Sequence, residues 1–137
     1  MRKLALLFPL LLLLGCPQGS TVHKVTAAQH NFRFAVQAFE DAEVAEFDKG
    51  FVPAPIHLKM ETVVQKVALA GKDLDTSLAA GASTATIKGK LDAIYTLLDS
   101  LNSDGVLGVK NATTKAELEI ALDAIKAIID GALVQVQ

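Results

Sequence analysis

The stretch METVVQKVALAGKDLDTSLA, residues 60–79, decides the fold. Met60, Val63, Val64, Val67, Gly71, Leu74 and Leu78 recur with the spacing that places side chains on one face of a 3.6-residue helix. A half-buried strand would instead alternate apolar and polar residues, and this stretch does not. It predicts an amphipathic helix from about Pro55 to Ala80. Gly71 lies inside the apolar stripe, where glycine costs about 1 kcal/mol relative to alanine. A glycine held at that cost predicts that a neighbouring helix passes close by.

The same periodicity repeats on both sides. Upstream, Val25, Ala28, Phe32, Ala35, Val36, Phe39 and Ala42 predict a helix from about Thr21 to Lys49, ended by the GFVPAP break with Gly50, Pro53 and Pro55. Downstream, GAST offers Ser83 or Thr84 as an N-cap for a third helix, with Ile87, Leu91, Ile94, Leu98 and Leu101 as its stripe. The longest polar connection is NSDGVLGVKNAT, residues 102–113. Thr114-Lys115-Ala116-Glu117 then reads as a capping box for a fourth helix, whose stripe is Leu118, Ala121, Leu122, Ile125, Ile128, Ile129 and Leu133. Four helices of similar length joined by short breaks predict an all-α, up-down antiparallel four-helix bundle over residues 21–137. LDAIYTLLDS (91–100) and LDAIKAIIDG (122–131) echo one another, although their flanks differ. Either a duplicated helical unit or convergence through binary patterning accounts for such an echo, and both predict that the third and fourth helices pack as equivalents.

At 137 residues the chain is sized for one domain, and 51% hydrophobic against 20% charged residues argues for a packed globule over a disordered chain. The net charge is −2; without Arg2 and Lys3, the 13 basic residues fall to 11 against 15 acidic ones. An acidic balance without a Lys/Arg cluster speaks against nucleic acid as a partner. The single cysteine, Cys16, excludes an internal disulfide and a multi-cysteine zinc site.

Met1-Arg2-Lys3 followed by the apolar run Leu4–Leu14 has the make-up of a signal peptide, and the run is shorter than the ~20 residues that span a bilayer. The residues Leu13-Leu14-Gly15-Cys16 that follow resemble the lipobox of bacterial lipoprotein precursors. Leu14 stands where that class more often has Ala, Ser, Thr or Val. The resemblance covers the leader alone. It implies removal of residues 1–15, a lipid on the Cys16 sulfur, and a tether of residues 16–20. Five extended residues reach no more than ~18 Å, so the bundle would sit close to its membrane.

Other candidate sites are sparse. Asn102, Asp104, Gly105 and Leu107 fall at positions 3, 5, 6 and 8 of a calcium-type loop opening at Ser100, but position 12 is Asn111 in place of a bidentate Glu. An interhelical turn explains the same residues. His23 and His30 lie two helical turns apart, too far to share a metal, and His57 reads as a surface or boundary residue. Glu40, Asp41, Glu43, Glu46 and Asp48 read as a solvated acidic face at the end of the first helix. No phosphate loop, nucleophile elbow or zinc-binding helix motif is present. The reading is therefore a non-enzymatic lipoprotein of the bacterial cell envelope. It would be anchored at Cys16, face the periplasm or exterior, need no cofactor, and work by contact with an envelope protein. The alternative is a small-ligand or metal carrier that uses an interhelical pocket or the 100–111 loop.

Overall fold

The structure, a computed structural model, describes residues 20–137. The leader (1–15), Cys16 and tether residues 17–19 lie outside the described residues. Four helices follow one another: α1 (Thr21–Asp48), α2 (Ala54–Ala79), α3 (Thr84–Asp104) and α4 (Ala112–Gln135), with a single 3₁₀ turn, Val106–Gly108, between the last two.

Local chemistry sets where each begins and ends. Ser20 and Ser83 accept hydrogen bonds from the His23 and Thr86 amides at 3.3 and 3.2 Å, which satisfies first-turn N–H groups that have no helical partner. Pro55 is the second residue of α2, in the first turn, where its missing N–H costs nothing. Gly50 and Gly81 end α1 and α2 with φ of +78° and +68°, a conformation that a Cβ disfavours. At the first of these stops the Gly50 amide donates to the Phe47 carbonyl at 2.8 Å, and the Phe51 amide to Glu46 at 3.0 Å.

The fourth helix departs from expectation. Asn111, not Thr114, is its cap: the Asn111 side chain accepts from the Thr114 amide at 3.0 Å, and the helix starts at Ala112. Capping one turn earlier leaves the Thr114 hydroxyl free to reach α1. The connection before it is also less polar than its composition suggests. The α3 helix runs on to Asp104, and Val106 and Val109 are buried. A Cβ on Gly105 would run into Met60 Cγ and the Leu101 carbonyl, so glycine is needed here for space.

Each helix packs against its sequence neighbours, and α4 packs against α1, which closes an antiparallel four-helix bundle. Phe32 and Phe39 of α1, Met60 and Leu74 of α2, Ile94 and Leu98 of α3, and Leu118 and Ile125 of α4 are fully buried at its centre. Gly71 marks a close approach, as its place in the stripe predicts. A Cβ there would lie 3.0 Å from the Phe32 ring and 3.2 Å from Gln29 Nε2. That amide nitrogen donates to the Gly71 carbonyl at 2.7 Å and ties α1 to α2 through a buried polar contact. The echoed segments also face each other. Lys126, fifth in its segment, lies 5.6 Å from the ring of Tyr95, fifth in the other, and pairs with Asp99 at 2.5 Å.

Overpacking a filled core typically costs about 1–3 kcal/mol. Gly71→Val and Gly105→Ala should each lower stability by about that much, seen as a lower urea midpoint with an unchanged slope. Gly89→Ala, at an exposed helical position with open space around it, should instead be neutral or stabilising, by up to about 1 kcal/mol.

Candidate functional site

The densest polar chemistry lies at the end of the bundle where α1 hands over to α2 and α3 to α4. Glu43 and Glu46, one turn apart on α1, both point inward. Both oxygens of Glu43 lie against His57 Nδ1 of α2, at 2.9 and 3.0 Å, and the imidazole stacks on Phe47 with ring centres 3.9 Å apart. Glu46 accepts from Lys49 Nζ at 2.5 Å and from the Thr114 hydroxyl of α4 at 2.7 Å. One turn of α1 thus grips the first turns of both α2 and α4.

The two carboxyls have opposite electrostatics. Burial pushes Glu43 above the ordinary carboxyl value, which outweighs the downward pull of His57; Glu61 and Glu40 nearby push in the same direction as burial. Glu46 is held below its ordinary value, first by the Lys49 hydrogen bond and then by that of Thr114. In return, Glu46 raises Lys49. Thr114 is 1% exposed and each group has an internal partner, so the cluster works as a clamp between helices rather than as a surface open to substrate.

This corrects the reading of the acidic run as a solvated face. Asp41 and Asp48 are exposed, whereas Glu43 and Glu46 are buried. The signal was present in the spacing: 39, 43 and 46 continue the apolar stripe at steps of four and three. No local pattern indicates that His57 and Thr114 would meet them. His23 and His30 are exposed on α1, with His30 packed edge-on to Phe34 at 4.9 Å.

Ser100, Asn102 and Asp104 lie in the last turns of α3 rather than in a loop. Residues two apart on a helix diverge by about 200°, so these three side chains do not converge on a common point. Asp104 instead takes a hydrogen bond of 3.3 Å from its neighbour Ser103. Among the described residues, no group of three or more His, Cys, Asp and Glu side chains is placed to hold a metal ion, and no helix is long and apolar enough to cross a membrane. Between α1 and α2 lies an open groove of about 410 Å³, floored by Phe32, Val36, Val64, Ala68 and Gly71, with Arg33 and Lys72 among its polar edges. No family model, curated protein or solved structure matches the chain.

Thr114→Val leaves Glu46 short of a partner in a buried position and should cost about 1–3 kcal/mol by urea denaturation. The pH dependence of the two glutamates runs in opposite directions. For Glu46 the folded value lies below the unfolded 4.5, so its contribution is present above 4.5 and lost as pH falls through the folded value. For Glu43 the folded value lies above 4.5, so its contribution is complete below 4.5 and lost as pH rises through the folded value. Urea midpoints across this range should show Glu46→Gln losing ground to the parent as pH rises, and Glu43→Gln gaining on it.

Proposed function

We propose that this protein is a lipid-anchored, non-enzymatic contact module of the bacterial cell envelope. The single observation that carries the reading is Leu13-Leu14-Gly15-Cys16 behind a basic start and an apolar run. A thioether to lipid needs a sulfur nucleophile, and Cys16 is the only one. Ser20 already caps α1, so only Pro17, Gln18 and Gly19 separate Cys16 from the first residue of the bundle. A tether this short keeps the bundle against the membrane surface, and its partners are molecules at that surface. One acyl chain binds a membrane only marginally, at about 10⁴ M⁻¹, whereas two or more make the attachment lasting.

Metabolic labelling with a radioactive fatty acid tests the anchor. The parent chain should take up label and sediment with membranes; Cys16→Ala should lose both. Label retained by Cys16→Ala would sink the reading.

The groove between α1 and α2 favours a second reading, a carrier of a small apolar ligand. A ligand bound there at a hundred times its dissociation constant stabilises the fold by about 2.7 kcal/mol. A raised melting temperature with a lipophilic ligand, lost in Ala68→Trp, would support the carrier. An unchanged melt across lipophilic ligands would remove it.

A further inference from the structure

Two outward faces of the bundle remain unpartnered, and they match. The helices close in the order α1–α2–α3–α4, so α2 and α4 occupy opposite corners and face away from each other. In an up-down bundle these two helices run in the same direction. Glu43 meets His57 and Glu46 meets Thr114 one turn apart on α1, which sets the first turns of α2 and α4 at nearly the same height.

The outer face of α2 presents Leu58 and Leu69, 62% and 68% exposed. Around them stand Lys59, Lys66 and Lys72, all exposed and none in an ion pair among the described residues. Of the acids on this helix, Asp73 is paired with Lys90 and Asp75 with Arg33, which leaves Glu61. The outer face of α4 presents Ile120 and Val134, 65% and 63% exposed, with Ala124, Ala127 and Gly131 between them. Positions 120, 124, 127, 131 and 134 alternate steps of four and three, the spacing of a helix–helix seam. The exposed charges beside that seam are Glu117, Asp123 and Asp130, all acidic. Both lysines of α4 are already paired, Lys115 with Glu119 and Lys126 with Asp99.

One pair of these opposite charges agrees in height as well as in side. Lys66 and Asp123 lie twelve and eleven residues beyond the starts of their helices. Lys66 is two turns before Asp73, which pairs with α3, and Asp123 is one turn before Lys126, which also pairs with α3. Both therefore lie toward the α3 side of their helix, and they meet when a second copy is placed alongside in the same orientation.

We infer that the protein associates with further copies of itself, the outer face of α2 on one copy against the outer face of α4 on the next. The contact is head-to-tail and relates copies by translation, so it builds rows rather than closed pairs. A symmetric α2–α2 or α4–α4 pairing would oppose like charges along its whole length. Translation also keeps every N-terminus on the same side, as a shared membrane requires. A single helix face is small beside the roughly 1,600 Å² of a stable interface, so the row depends on the local concentration that anchoring supplies. In that respect the inference rests on the anchored reading above.

The test uses the full-length chain in bacterial cells, with a photo-crosslinking phenylalanine in place of Leu69. Irradiation should yield covalent dimers and higher multimers, with the attached peptide coming from α4 near Ile120–Ala127. Lys66→Glu alone and Asp123→Lys alone should each reduce the yield several-fold. The two together in one chain should restore it, while circular dichroism melts of all variants match the parent. Attachment to α2, attachment only to a different protein, no multimers, or a double variant that stays uncoupled would each overturn the proposal. Membrane fractionation of the same cells separates the two readings: membrane-bound protein without multimers overturns the row alone, and multimers of soluble protein overturn the anchor alone.

Discussion

The bundle depends on burial that no single helix can achieve. Each helix carries one apolar stripe, and isolated helices of this kind are marginal in water because forming the first turn is costly. Burying Phe32, Met60, Ile94 and Leu118 against one another removes all four stripes from water at once. The short breaks at Gly50 and Gly81 direct consecutive stripes toward the same centre, and α4 closes the ring on α1. Glycines at 71 and 105 serve the same burial by removing atoms where backbone and side chains meet most closely.

Among the described residues the core holds four buried polar side chains, Gln29, Glu43, Glu46 and Thr114. Gln29 bonds the Gly71 carbonyl, while Glu43 and Glu46 occupy stripe positions near the end of α1. Burying a carboxylate is costly unless it is paired and hydrogen-bonded, and these two solve the problem differently. Glu46 gains a cation and a hydroxyl and stays readily ionised. Glu43 gains one imidazole among further acids, and burial dominates its electrostatics. Such groups add less stability than apolar residues of the same size would, yet they accept few alternative partners. The register of α1 against α2 and α4 is therefore specified by chemistry as well as by shape.

With the inner stripes satisfied, what remains for function is the outer surface and whatever the N-terminal cysteine holds. The outward residues of α2 and α4 include aliphatic side chains that do nothing for the core, set among charges of opposite sign on the two helices. Isolated exposed aliphatics need no explanation. Their place beside Lys66 and Asp123, opposite charges of matching height on opposite corners of the bundle, is a relation between helices, and it appears only once the bundle is assembled.

The helices and their stripes were legible in the sequence because periodicity is local: a residue three or four positions away already lies on the same face. The stop at Gly50, the cap at Ser83 and the close approach at Gly71 follow from properties of single residues and were legible for the same reason. Tertiary structure alone decided the partners of Glu43, Glu46 and Thr114. The Glu46–Thr114 bond joins residues 68 positions apart, and no local rule ranks that bond above solvation or a helix cap. It likewise decided that Val106 and Val109 turn inward and that Ser100, Asn102 and Asp104 stay on a helix, because burying the two valines with the core removes them from water. Local pattern determines which face of each helix avoids water. Which buried polar group meets which depends on the heights at which the helices stand, and that is a property of the packed bundle.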